Sequence, residues 1–233
     1  MNIPKGRVSS NNDLINKLSH KLEKYSPIVI VGEVDTGKTF FLKKLCETLI
    51  NNSVVSEYTI HQSREVLDRM VQALSANDMA NWKQSFLASE VIIVEDFDYF
   101  IGKQNTQEEL FTIFKTAKCP IIISTTISIK NNGFCDKLAQ FFNAGTYITL
   151  GYPSYEDITS RLKSLIEDSN IYLSKDAYEW LLRQDIQSFT KVKGIVKTLS
   201  LYGCAAENEM DLYDCQNIIK PYLDIQSKEE ESR

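Results

Sequence analysis

The stretch Gly32–Thr39, which reads GEVDTGKT, decides the fold of this chain. It has the form G-x-x-x-x-G-K-[ST], with glycines at both ends of the variable positions. A short, apolar and β-branched run, Pro27–Val31, comes directly before this motif. The segment KTFFLKKLCETLI, which begins with the last two residues of the motif, has the composition of a helix. A glycine-bounded turn between a buried strand and a helix is the setting in which backbone N–H groups and a helix N-terminus bind phosphate.

The pattern therefore predicts a site for ATP or ADP together with Mg²⁺. Glycine permits the backbone angles by which successive N–H groups curl around the phosphates. We expect Lys38 to reach the β- and γ-phosphates, the Thr39 hydroxyl to coordinate Mg²⁺, and the backbone N–H of Phe40 to face the α-phosphate, while the Phe40 side chain enters the core. The other loop residues assigned to the nucleotide are Gly32, Asp35, Thr36 and Gly37.

A second motif lies farther along the chain, where the apolar run VIIV is followed by Glu95 and Asp96. By itself this pattern fits a strand-ending turn equally well. After a phosphate loop it favours a Walker B segment, in which Glu95 holds Mg²⁺ and Asp96 orients the attacking water. P-loop ATPases commonly place Asp first, as the residue on the metal side. Because Mg²⁺ demands near-ideal octahedral geometry, the longer Glu95 is expected to weaken hydrolysis more than nucleotide binding.

Strands and helices alternate up to Gly151 and only helices follow, which predicts an α/β parallel sheet flanked by helices and then a small helical subdomain. We place the first subdomain at residues 1–151, the second at 152–224 and a disordered tail at 225–233. Further expectations are a second strand over Val54–Ile60 and a capping box between Thr106 and Glu109.

A predicted helix over Ser63–Leu74 carries apolar residues that are expected to share one face. These residues are Val66, Leu67, Met70, Val71 and Leu74.

Composition excludes several classes of protein. The chain has 233 residues and a net charge of −5, and the excess acid lies after residue 150, so no basic domain for duplex DNA is expected. No apolar run of membrane-spanning length and no signal peptide are visible. Five cysteines without a C-x-x-C pair indicate free thiols and a cytoplasmic protein, and two histidines make a zinc site unfavourable.

Three segments together resemble the AAA+ module of the DnaA/Hda family, which acts in bacterial replication initiation. They are SREVLDRMVQAL, then WKQSF, then EVIIVEDFDYFIGKQNTQEELFTIF, and the later segment SRLKSLIEDSNIYLSKDAYEWLLRQ looks like the lid subdomain of the family. The resemblance covers roughly residues 7–223. It implies a P-loop AAA+ core with a helical lid, and a partner that is DnaA or another AAA+ protein.

The chain also departs from the family at three functional positions. Thr126 stands at the sensor-one position, where Asp is usual, and we assign it to the catalytic group with Glu95 and Asp96. The arginine-finger block reads Gln140–Phe142, so that arginine is absent. At the sensor-two position stands Thr190, with two lysines close by, and lysine lacks the bidentate fork of arginine. These losses predict slow hydrolysis, because arginine fingers contribute about 10³–10⁵ in rate.

Nucleic-acid and clamp contacts are weakly supported. The lid-like segment ends near Tyr222, so we expect no helix-turn-helix domain in this chain, and the N-terminal residues contain no sliding-clamp-binding peptide of the Hda type. Single-stranded DNA stays possible, but Asn105 replaces the usual basic residue. The nearby basic residues fit a solvated helix face better, and the nearby aromatic residues fit core packing better. These residues are Arg64, Arg69, Lys83, Trp82 and Phe86.

Three functions remain open at this point. The favoured hypothesis is a regulatory binding module that holds ATP or ADP as a switch and docks on an AAA+ partner. The alternative is a working ATPase that uses Glu95 and Asp96 and receives an arginine in trans. A third is a remnant interaction domain without functional nucleotide, against which the intact Lys38–Thr39 pair argues.

Overall fold

The computed structural model describes residues 11–127, 129, 133–203 and 209–231 of the chain. It divides into two compact units, Met1–Gly151 and Tyr152–Arg233. The first unit contains a parallel sheet and the helices around it. The second unit is built from helices.

The sheet of the first unit has five strands in the order β2-β3-β4-β1-β5, and every neighbouring pair is parallel. The strands are β1 Ile28–Val31, β2 Ile60–Gln62, β3 Ile92–Glu95, β4 Ile121–Thr125 and β5 Thr146–Thr149. The helices are α1 Asn11–Ser19, α2 Leu22–Tyr25, α3 Lys38–Asn51, α4 Ser63–Ser75, α5 Met79–Leu87, α6 Gln104–Thr116 and α7 Asp136–Asn143. The predicted α/β fold with a parallel sheet flanked by helices is confirmed.

Successive residues of the central strands point into two different apolar layers. Ile28 and Ile30 of β1 pack with residues of α1 and α3, whereas Val29 between them packs with residues of α4 to α7. All three are fully buried. Because both faces are covered, the strands read as continuous β-branched runs, and each buried side chain contributes about 1.5–3 kcal/mol.

Two local predictions were wrong in detail. Strand β2 begins at Ile60 and not at Val54, because the backbone N–H of Ser56 is taken by the Glu90 carboxylate at 2.5 Å. Helix α6 begins at Gln104 and has no side-chain cap, so the capping box of Thr106 and Glu109 does not form. Glu109 instead forms an ion pair with Lys83 of α5.

Helix α4 buries a narrower stripe than its apolar residues predict. Val66 and Met70 are buried, but Val71 and Leu74 are 53% and 66% exposed. At about 100° per residue, Val71 lies about 140° around the helix from Val66. Helix α4 lies beside the edge strand β2, so only one side of the helix contacts the core. Val71 and Leu74 lie outside that side and face away from the core.

The second unit contains α8 Tyr155–Asp168, α9 Lys175–Leu182, α10 Phe189–Gly203 and α11 Leu212–Glu231. A capping box between Ser154 and Asp157 starts α8. Helix α11 extends to Glu231, so residues 225–231 are helical where the sequence analysis expected disorder, and residues 232–233 lie outside the described part of the chain. Within the described residues, every helix is too short or too polar to span a membrane.

The start of β5 requires a glycine, which gives a stability prediction for the first unit. A Cβ atom at Gly145 would lie 2.1 Å from the carbonyl oxygen of Pro27, the same oxygen that accepts the Thr146 N–H at 2.9 Å. We expect Gly145→Ala to lower the free energy of unfolding by about 2 kcal/mol, because the backbone at Gly145 or Pro27 must move to make room for the added methyl group. Urea unfolding followed by Trp82 fluorescence in a Trp180→Phe background measures this in the first unit.

Gly151→Ala is the matched control, since a Cβ atom there meets no atom within 4 Å. Equal unfolding free energies for the two glycine variants would contradict this packing account.

Candidate nucleotide-binding site

The loop Gly32–Thr39 connects the end of β1 to the start of α3. Helix α3 begins at Lys38, and its N-cap Gly37 has a φ of 85°, in the left-handed region that favours glycine. Asp35 also has a positive φ, of 69°. The turn therefore brings the N-terminal end of a 14-residue helix, with its partial positive charge, to the loop.

The backbone of Gly32 lies too close to Thr36 and Leu150 to leave room for any side chain. A Cβ atom there would lie 2.3 Å from the Thr36 hydroxyl and 3.1 Å from the carbonyl oxygen of Leu150. Its N–H donates to the carbonyl oxygen of Thr125 at 3.1 Å. Thr36 is buried, and its hydroxyl donates to the carbonyl oxygen of Glu33 at 2.9 Å. Gly32 and Thr36 thus fix the shape of the loop.

Lys38 places its ammonium group inside the loop. The side chain is 8% exposed, and Nζ donates to the carbonyl oxygens of Gly32 and Glu33 at 2.7 and 2.8 Å. Burial lowers the pKa of Lys38, and four carboxylates oppose that shift. These carboxylates are Asp96, Asp98, Glu95 and Asp35. A buried cation held by two carbonyl groups is suited to an anionic ligand, which would compensate its charge directly.

Thr39 and Glu95 meet across the loop and the end of β3. The Thr39 hydroxyl donates to one carboxylate oxygen of Glu95, and the other oxygen accepts from the Gln62 amide at 2.7 Å. Glu95 is 3% exposed, and its backbone carbonyl accepts from the Ser63 hydroxyl at 2.8 Å. The carboxylate is therefore fixed from both sides.

This donor set fits Mg²⁺. The oxygens of Thr39 and Glu95 are the hard ligands that Mg²⁺ prefers, and this ion commonly keeps several waters and binds substrate phosphates in addition. Among the described residues, no three His, Cys, Asp or Glu side chains converge as a metal-binding group.

Asp96 lies beside this pair in a strained conformation. Its φ of 56° is uncommon for a residue other than glycine, and its backbone N–H donates to the Ser124 hydroxyl at 3.2 Å. Asp96 as a whole residue is exposed, but partial burial of its carboxyl group raises its pKa, with further raising by Glu95 and Asp98 and an opposite effect from Lys38. Sequence reasoning placed Asp96 correctly at the end of β3, but its role in orienting water stays a prediction.

Thr126 is hydrogen-bonded to a residue that sequence reasoning missed. Its hydroxyl donates to Asp98 Oδ2 at 3.0 Å, and its backbone N–H donates to Asp98 Oδ1 at 3.2 Å. Gln62 was missed as well. No sequence motif marks either residue, because their importance arises from the order of strands β2, β3 and β4 in the sheet.

Phe40 departs from expectation at the start of α3. Its side chain is 40% exposed and does not enter the core. The Lys44 ammonium lies 6.0 Å from the centre of its ring. Whether the Phe40 backbone meets the α-phosphate stays a prediction.

The block Gln140–Phe142, where the sequence analysis expected the arginine finger, lies on α7. Phe142 is fully buried, and its ring packs edge-to-face with Phe97 at 5.3 Å between ring centres. The helix reads DKLAQFFN and contains no arginine. Thr190 and Lys191, at the expected sensor-two place, stand in the first turn of α10 in the second unit.

The aromatic residues near β2 pack internally, as the sequence analysis favoured. Phe86 is buried, and its ring stacks on Trp82 at 5.5 Å and lies 5.0 Å from His61. Arg64 and Arg69 are exposed on α4. The possible contact of this region with single-stranded DNA stays a prediction.

Comparison with known proteins identifies the family. The family described as the bacterial DnaA ATPase domain matches residues 10–149, which is more than half of the chain. The replication initiator DnaA of Chlorobaculum tepidum is 24% identical over 209 residues, covering 88% of this chain and 42% of that protein. The chain thus spans less than half the length of this relative.

Solved structures agree in fold. Domain III of DnaA from Thermotoga maritima superposes with a TM-score of 0.80 at 20% identity and covers 94% of this chain and 93% of that one. A DnaA bound to AMPPCP and single-stranded DNA superposes with a TM-score of 0.68 at 21% identity, covering 86% of this chain and 63% of that one.

The resemblance to DnaA is therefore confirmed, while the finer likeness to Hda stays a prediction. The phosphate-loop fold, the matched sequence family and the superposed structures lead to one conclusion: this chain belongs to the family of bacterial DnaA ATPase domains.

Proposed function

We propose that this chain is a regulatory module of replication initiation that binds ATP or ADP with Mg²⁺ as a conformational switch. In this proposal it docks on an AAA+ partner, with the initiator DnaA as the leading candidate, and hydrolyses ATP slowly or not at all. The observation that carries the proposal is the buried Lys38 ammonium, held at 2.7 and 2.8 Å by carbonyl oxygens of the loop.

The geometry of the loop supports nucleotide binding. The N-terminus of α3 and the Lys38 ammonium provide positive charge at one place, which is what a chain of phosphates requires. A related DnaA structure contains AMPPCP, an ATP analogue. In this chain Thr39 and Glu95 would hold Mg²⁺, which would supply charge neutralisation at the phosphates.

Slow hydrolysis is supported by the residues that surround the loop. The first acid is Glu95, which is already engaged by Thr39 and Gln62. Helix α7 contains phenylalanines where an arginine finger is expected. A nucleotide that is held without rapid turnover can act as a switch, because the nucleotide-bound form persists long enough for a partner to bind it selectively.

The alternative is an active ATPase completed by an arginine from a partner. Asp96 favours this alternative, since it is exposed beside the loop at the end of β3. An arginine supplied in trans contributes about 10³–10⁵ in rate where it acts. Turnover measured with and without the initiator therefore separates the two functions.

The test of the proposal combines binding and turnover. We expect the wild-type chain to bind ATP and ADP, and Lys38→Ala to weaken both affinities by about tenfold to a hundredfold, the size of one or two charge-assisted hydrogen bonds. Isothermal titration measures affinity, and phosphate release measures turnover alone, with DnaA, and with single-stranded DNA.

Lys43→Ala is the control, because Lys43 is an exposed lysine on the same helix. Tight binding of ADP without ATP turnover supports the regulatory switch. ATP turnover that rises on addition of DnaA supports the ATPase that a partner's arginine completes. Wild-type protein that binds neither nucleotide would contradict both.

The metal part of the proposal predicts an effect that depends on Mg²⁺. Glu95→Ala removes the carboxylate that fixes the Thr39 hydroxyl, and losing such a group costs about 10–100-fold in metal affinity. We expect its ATP affinity to fall about tenfold in Mg²⁺ and not to fall in EDTA, where no metal needs the carboxylate and its negative charge only repels the phosphates. Titrations under both conditions measure the difference.

Glu47→Ala is the matched control, since Glu47 is exposed on α3. An equal loss of affinity with and without Mg²⁺ would assign Glu95 a purely structural role.

A further inference from the structure

A small cleft lies within the second unit. Its volume is about 290 Å³, and its walls come from the C-terminal half of α8, the segment between α8 and α9, Tyr178 of α9 and Glu209. Sites for drug-sized ligands generally have volumes of about 300–1,000 Å³. The cleft is therefore of a size for one side chain and not for a nucleotide or another large cofactor.

An exposed aromatic side chain stands at the cleft on a fixed backbone. Tyr172 lines the cleft and is 72% exposed. Its carbonyl oxygen accepts the Met210 N–H at 2.8 Å, and the Ser174 N–H donates to the Met210 carbonyl oxygen at 2.9 Å. These bonds belong to a short parallel bridge between Leu173 and Met210. The bridge holds Tyr172 beside Glu209, the residue before Met210, while the ring stays within reach of another molecule.

The charged residues of the cleft are more acidic than basic. Glu167 and Glu209 line it together with one cation, Lys163. Among the described residues, neither glutamate forms an ion pair. Glu167 lies in the last turn of α8, which contains no basic residue, and the partial negative charge of a helix C-terminus adds to that of the carboxylate. The cleft therefore favours a cation.

The carboxylate of Glu167 lies close to the second aromatic ring of the cleft. Burial raises the pKa of the Tyr178 hydroxyl, and the charge of Glu167 raises it further. Aromatic faces attract a cation within about 6 Å, and carboxylates form strong hydrogen bonds to charged donors. A guanidinium group suits both kinds of contact, because it is planar, stacks on aromatic rings and donates to carboxylates as a fork.

We propose that this cleft binds an arginine side chain from the surface of a protein partner. The guanidinium group lies against the rings of Tyr172 and Tyr178, and its N–H groups donate to Glu167 and Glu209. The second unit has 15 acidic and 10 basic residues, so it attracts a basic partner surface, whereas a second copy of this chain is repelled. The proposal does not depend on nucleotide binding, because every residue of the cleft belongs to the second unit.

The test uses the full chain and three capped tripeptides with arginine, citrulline or lysine at the central position. Binding is followed by NMR of ring-¹³C-labelled tyrosine, and the signals of Tyr172 and Tyr178 are assigned from their single Phe variants. We expect the arginine peptide to shift both signals saturably. The citrulline peptide, which has the shape of arginine without its charge, should bind about tenfold more weakly, the size of one hydrogen bond to a charged group. The lysine peptide should bind about threefold more weakly, because an ammonium group has no planar fork.

Two substitutions in α8 should change the affinity for the arginine peptide in opposite directions. Glu167→Gln should lower it about tenfold, because one acceptor charge is lost. Lys163→Gln should raise it about twofold, because a like charge is removed from the cleft. Glu156→Gln is the matched control and should leave the affinity unchanged, since Glu156 is an exposed glutamate in the first turn of the same helix.

Equal affinities for the arginine and citrulline peptides would overturn the inference, and so would equal effects of Glu167→Gln and Glu156→Gln. A lysine peptide that binds as tightly as the arginine peptide would overturn the assignment to a guanidinium group. Sedimentation velocity tests the other occupant. A wild-type dimer that dissociates in Glu167→Gln would put a second copy of the chain at the cleft, which contradicts the assignment to a different partner, whereas a monomer in both cases agrees with it.

Discussion

The burial of one ammonium group is the constraint on which this site depends. Lys38 is 8% exposed and bonds to two carbonyl oxygens of its own loop, and burying such a charge without partners would be costly. The nearby carboxylates and carbonyl groups stabilise it. The tight packing of Gly32 and the left-handed backbone of Gly37 keep the loop closed around it. The loop therefore keeps a positive charge at the N-terminus of α3, which is where we propose that the phosphates bind.

The parallel sheet brings the other parts of the site to this ammonium group. Strands β3, β4 and β1 are neighbours, and their carboxyl ends meet at one edge. Glu95 ends β3 and bonds to Thr39. At the end of β4, three successive residues bond to Asp96, to the Gly32 N–H and to Asp98. Side chains that are distant in sequence thus act as one unit, since each strand end is fixed by hydrogen bonds to the next.

The sequence was sufficient for those parts of the fold and site that have local causes. The central strands β1, β3 and β4 begin as β-branched runs, the loop has fixed spacing, and the acids of β3 follow an apolar run, so each could be located from a few adjacent residues. Gln62 and Asp98 could not be found in this way, because their roles depend on which strands are neighbours. The exposure of Val71 and Leu74 was missed for a similar reason. The spacing of apolar residues does not show how much of the surface of a helix is buried when that helix lies at the edge of a sheet.

A crystal structure of the chain grown with AMPPCP and Mg²⁺ tests the central claim most directly. The account predicts that the phosphates lie against the loop Gly32–Thr39 and that Lys38 Nζ leaves the carbonyl oxygens of Gly32 and Glu33 to bond the terminal phosphates. Density for the analogue at another place, or a loop in which Lys38 still bonds both carbonyl oxygens in the presence of saturating analogue, would contradict it.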